Sequence, residues 1–140
     1  MARSPFLLGA SSERERATRV GVARICVGST MLMTTGLARR LFGVPGDQDN
    51  AALRVVARLF GIRNVVLGTW VLAARDHGGD ERRLCYQLNA ATDATDLGIL
   101  LIGGVKGEGL WRAAAMGWAL GGSALLAWLD LIQEVDAGAS

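Results

Sequence analysis

The charges of this 140-residue chain are sorted by segment, not by helix face. Four stretches, residues 20–38, 59–74, 84–105 and 113–132, hold 77 residues and only five charges: Arg24, Arg63, Asp93, Asp96 and Asp130. The other 63 residues carry the remaining 23. A soluble amphipathic helix spreads its charges along its whole length on one face. Segregation by segment is what a bilayer demands, because charge at hydrocarbon depth has no water to solvate it. The pattern predicts an all-α, four-helix transmembrane bundle with its helices antiparallel in sequence order. The rival, a soluble four-helix bundle with an unusually apolar core, gains support only because no segment reaches about 18 uncharged residues in a row.

Length tests each segment separately. Crossing a hydrocarbon core of roughly 30 Å takes about 20 helical residues. Residues 113–129 are uncharged and apolar all round, and they span if Trp111 and Trp128 sit near the interfaces. Residues 20–38 span if Arg24, one turn in, snorkels toward the head groups. Residues 84–105 are long enough but carry two Asp in their middle. The weakest segment is 59–74, which holds Arg63 and must borrow residues 51–58 to reach full length. The expected spans are therefore about 20–38, 55–74, 84–105 and 112–132, within a domain of residues 20–133. An arm of residues 1–19 precedes them, and a short tail of residues 134–140 follows.

Composition agrees and excludes several classes. Hydrophobic residues make up 51% before the 19 Gly are added, already above the roughly 45–50% that apolar residues and glycine together reach in a soluble domain. The net charge is +2, and no basic run alternates with aromatics, which argues against nucleic acid. One His and two separated Cys cannot supply a structural zinc site. Cys26 and Cys85 read as inert buried thiols. With His77 in a Gly-rich loop, no Ser has a partner for a triad. No metal and no cofactor is expected. Residues 1–10 contain an apolar run of only Phe6, Leu7 and Leu8, too short for a signal peptide, so insertion is expected to use the helices themselves.

The connections carry their own signals. Ser12-x-x-Glu15 reads as a capping box. Residues 43–47 read as a turn, with Asp49 or Asn50 capping the second helix, while Gly78-Gly79-Asp80 and Gly107 separate the later ones. Four spans put both termini on one side. That side carries seven Lys or Arg against six on the other, a small bias toward cytoplasmic termini.

Charged groups at membrane depth cost about 3 kcal/mol each and need partners or water. At 100° per residue, Tyr86, Asn89, Asp93 and Asp96 fall within about 80° of one another, a single polar stripe that must face the bundle interior. Arg63 and Asn64 sit near the middle of the second span. Arg63 is the natural counter-ion for Asp93 or Asp96, and Arg24 is the candidate to complete the set through bidentate guanidinium contacts. An Asp that neither Arg reached would be protonated instead. The candidate site is thus Arg24, Arg63, Asn64, Tyr86, Asn89, Asp93 and Asp96, with no catalytic residue assigned. Ala113, Gly117 and Gly121 form a small-residue ladder suited to close packing, within the chain or against a second copy or membrane partner.

The residues Leu41-Phe42-Gly43-Val44-Pro45, then Leu59-Phe60-Gly61-Ile62-Arg63-Asn64, then Gly68, with an Asp-bearing third helix, make a pattern seen elsewhere. It resembles a family of small four-helix bacterial integral membrane proteins classed as a domain of unknown function, over roughly residues 19–133. That resemblance implies a fold and a location in the bacterial cell membrane, and no activity. Where the family pattern often has Asp after the Arg, this chain has Asn64, which leaves Arg63 dependent on Asp93 and Asp96. The expected function is a non-catalytic or partner-binding bundle in the lipid bilayer. The alternatives are a subunit carrying protons or a small solute, and a membrane enzyme using the Asp pair on a lipid-soluble substrate.

Overall fold

A computed structural model describes residues 9–41, 46, 49–106 and 111–138. Residues 42–45 of the motif above, most of the 43–47 turn and Gly107 lie outside the described residues. The described residues are all-helical: α1 Glu13–Met33, α2 Thr35–Leu41, α3 Ala51–Ala74, α4 Gly79–Val105 and α5 Trp111–Gly138, four long helices and one short.

The helix starts follow their capping residues. Ser12 Oγ accepts from the Glu15 backbone N–H at 3.2 Å. The return contact is displaced by one residue, because the Glu15 carboxylate accepts from the Ser11 N–H at 2.8 Å and the Ser11 hydroxyl at 3.1 Å. Those contacts hold the Glu15 carboxyl below its usual range: the Ser11 N–H most, then the Arg19 side chain. At α3 it is Asn50 that caps, accepting from Leu53 N–H at 2.9 Å, while Asp49 pairs with Arg54 at 2.8 Å.

The first span departs from expectation. Residues 20–38 are not one helix: the chain breaks at Thr34 (φ −136, ψ 66). The Thr30 carbonyl there takes both the Thr34 N–H at 2.9 Å and the Thr34 hydroxyl at 3.0 Å. A Thr-Thr-Gly run is weak in helix propensity, and such back-bonding bends helices, so the helix restarts as α2. The last span extends further than expected, to Gly138.

Two helices are long and apolar enough to cross a membrane: Ala51–Ala74 (mean hydropathy 1.5) and Ala114–Gly138 (mean hydropathy 1.4). The segment weakest in the sequence therefore becomes one of the two strongest once residues 51–58 join it. Neither α1 nor α4 meets that measure.

The long helices form a ring in the order α1, α3, α4, α5, with α1 and α4 across the diagonal. Packing is unequal around that ring. α1 lies antiparallel on α3, and α4 on α5, while contacts between these two pairs are sparse. The α1/α3 seam is made by glycines seven residues apart on each helix. A Cβ on Gly28 would stand 2.5 Å from the Gly61 carbonyl oxygen, and one on Gly68 would stand 2.7 Å from that of Gly21. Glycine leaves no side chain between the two helices, which lets their backbones approach closely. On α5, Gly117 lies against the Leu100 side chain and Gly121 against that of Leu97 on α4, contacts within the chain. The Ala113 side chain lies outside the described residues. By contrast nothing stands within 4 Å of a Cβ on Gly122, so Gly122→Ala is expected to stabilise by roughly 0.5–1 kcal/mol through helix propensity, measured as a higher melting temperature.

The core sits at one end, where the start of α1, the end of α3, the start of α4 and the end of α5 converge. Trp128, Tyr86, Leu131 and Val71 are its largest fully buried side chains. Tyr86 and Trp128 stack there with ring centroids 6.1 Å apart. Ion pairs surround that closed end: Arg82 with Glu13 at 2.6 Å, Arg83 with Asp136 at 2.8 Å, and Arg16 with Glu134. Toward the other end the two pairs separate.

Candidate functional site

The polar stripe of α4 faces inward as its helical spacing requires: Tyr86, Asn89 and Asp93 are buried and Asp96 is half-buried. Each Asp has its own guanidinium. Arg24 reaches across the diagonal from α1 and grips Asp93 with two hydrogen bonds, Nη1 to Oδ2 at 2.9 Å and Nη2 to Oδ1 at 2.7 Å. Arg63 comes from α3 and grips Asp96 the same way, Nη1 to Oδ1 at 3.0 Å with a second bond from Nη2 to Oδ2. Neither Asp is therefore left without an Arg.

The two pairs sit in different surroundings. Arg24 and Asp93 side chains are 6% and 10% exposed, whereas Arg63 and Asp96 are 38% and 24% exposed. A third donor completes the buried pair: Trp128 Nε1–H bonds Asp93 Oδ2 at 2.7 Å, and the Arg24 guanidinium lies 5.8 Å from the Trp128 ring centroid. Sequence reasoning placed Trp128 near an interface and so missed it. The indole is fully buried because α5 runs ten residues beyond it, about 15 Å of helix. The signal was present in the spacing: positions 117, 121, 124, 128, 131 and 135 form one heptad seam that already holds Gly117 and Gly121.

The remaining candidates do not join the ion pairs. Asn64 donates to the Phe60 carbonyl at 2.9 Å, and Asn89 to the Cys85 carbonyl at 2.9 Å, each within its own helix. Tyr86 donates to Glu13 at 3.1 Å at the closed end. The Arg63 guanidinium lies 4.8 Å from the Phe60 ring centroid, a cation–π contact on the same helix. Cys85 is buried as expected, but Cys26 is exposed on the outer face of α1, so only one of the two thiols is a buried one.

Both ion pairs lie on a cleft of about 830 Å³ between the α1/α3 and α4/α5 pairs. Its walls are apolar, with Val27, Val56, Phe60, Leu97, Leu100 and Leu120, and its far end is marked by Arg39, Asp49 and Arg54. It is half-open, neither an enclosed cavity nor a flat surface. Among the described residues no group of three or more His, Cys, Asp or Glu converges on a point where a metal ion could be held.

No family model matches the chain, and no curated protein or solved structure is significantly similar to it.

Proposed function

We propose that this chain is a small multi-pass membrane protein, in which α1, α3, α4 and α5 all span and the bundle acts by binding, without chemistry of its own. The observation that carries this reading is the inverted distribution of polarity. Arg24, Asn64, Asn89 and Asp93 are buried, while Val56, Leu59, Ile62, Val66, Ile99, Ile102 and many other large apolar side chains are exposed. In water that arrangement would leave a large sticky surface. In hydrocarbon it is the stable one, with leucines toward lipid and charges paired inside. α1 and α4 fall short on hydropathy because each carries charge within its length, and the deepest of these, Arg24 and Asp93, are paired with each other inside the bundle. The motif residues Gly61, Arg63, Asn64 and Gly68 that carry the resemblance to four-helix membrane proteins lie on the α1/α3 seam and beside the cleft. Both termini then face one side, the cytoplasmic one by the small excess of arginine.

A binding role fits the site better than catalysis. A membrane enzyme using an Asp pair needs a carboxylate free to take or give a proton; here each carboxylate is held in a guanidinium fork, beside a cleft that is half-open.

Expression followed by fractionation and alkaline carbonate washing tests the location. The chain is expected to stay in the membrane pellet and to need detergent for release. Recovery in the carbonate supernatant would overturn the reading.

A further inference from the structure

The two ion pairs divide the labour between them, and one of them has the features of a ligand site. Arg24–Asp93, with Trp128 against it, borders the cleft but keeps little exposed surface. Arg63–Asp96 is the only one of the two with substantial exposed surface, and that surface lies on the apolar cleft. A part-exposed ion pair among apolar walls at membrane depth is costly unless something polar meets it. We propose that the cleft binds a neutral amphiphile, a lipid whose uncharged, hydroxyl-bearing head group meets Arg63 and Asp96 while its chain lies against the apolar walls of the cleft.

Charge decides the class of head group. Arg24 and Arg63 balance Asp93 and Asp96, so the inner end of the cleft is neutral in sum. A carboxylate or phosphate brought to Arg63 would meet the negative Asp96 at once, and an ammonium brought to Asp96 would meet Arg63. A hydroxyl escapes both conflicts, since it donates to a carboxylate lone pair that Arg63 leaves unused and can accept from the guanidinium edge. Shape decides the rest. From Arg63 toward Leu53 the wall of α3 extends about 15 Å, facing Leu97 and Leu100 of α4 and Leu120 of α5. All of it is apolar until Asp49 and Arg54. The volume, about 830 Å³, falls within the range of specific small-molecule pockets.

This proposal rests on the membrane-bundle reading, which carbonate extraction scores on its own. Three probes share one oleyl chain and differ in head charge: monooleoylglycerol, oleate and oleylamine. Each is titrated into the detergent-purified full chain, with binding read by native mass spectrometry and by the rise in melting temperature. The expected result is one monooleoylglycerol per chain, bound at least tenfold more tightly than either charged probe. The variant Arg63→Leu with Asp96→Leu removes the pair together, a change that commonly leaves a bundle folded. It is expected to melt cooperatively and to lose at least tenfold in monooleoylglycerol affinity. Equal binding of oleate, undiminished binding by the double variant, or a dimer that takes up no probe would each overturn the proposal, even if the chain stays in the membrane pellet.

Discussion

Asp93→Asn is expected to cost about 3–5 kcal/mol, because it leaves the nearly inaccessible Arg24 guanidinium charged and unpaired inside the bundle. For a chain of this size that is a fall of roughly 10–20 °C in melting temperature. The substitution keeps the side chain's shape, so the loss reports charge rather than packing. Two comparisons make the result specific. Arg14→Gln breaks a pair whose side chains are 65% and 46% exposed, and should change stability by no more than about 1 kcal/mol. Arg24→Leu with Asp93→Leu removes both charges and should recover most of what the single change loses. The same series in Trp fluorescence should show a shift for Asp93→Asn, since Trp128 donates to that carboxylate. If Asp93→Asn melts no lower than Arg14→Gln, the buried pair is not a lock.

Gly28→Val should be comparably damaging for a different reason. Its Cβ would meet the Gly61 carbonyl oxygen at 2.5 Å and the Val65 backbone nitrogen at 2.9 Å. These are backbone atoms of a facing helix, which cannot rotate aside. Overpacking of a dense seam costs about 1–3 kcal/mol where side chains can adjust, and more where they cannot, so a loss above about 3 kcal/mol is expected. Gly36→Ala, where nothing stands within 4 Å of the new Cβ, is the matched control. Melting of the two variants in the same detergent settles the matter: a Gly28→Val that behaves like Gly36→Ala would mean that α1 and α3 do not approach as closely as their glycines allow.

Much of this architecture is legible in the residues. Charge sorting marks the four long helices, Ser12 and Asn50 mark two of their starts, and a 100° wheel puts Tyr86, Asn89, Asp93 and Asp96 inside. The break at Thr34 was written in Thr34-Thr35-Gly36, but a hydrophobic count passes over it because all three are uncharged. The pairing of Arg24 with Asp93 and Arg63 with Asp96 could not be read from spacing, since it depends on α1 and α4 standing across the diagonal. The glycine seam shows why. Gly21 and Gly28, like Gly61 and Gly68, are seven apart, a repeat visible in the sequence, yet which glycine faces which is fixed only when the helices meet. Trp128 was misplaced because a Trp near a helix end reads as an interface anchor, and α5 does not end there.

The uneven packing of the ring has a consequence for how the protein is made. In the proposed membrane bundle the first half of the chain brings Arg24 and Arg63 to membrane depth, and the second half brings Asp93 and Asp96. Each half alone would carry unpaired like charges in lipid, at about 3 kcal/mol apiece, and the glycine contacts within each half supply no opposite charge. Neutrality arrives only when the halves dock. In the proposed bundle a nascent first half is therefore expected to be a poor membrane tenant until its complement is synthesised.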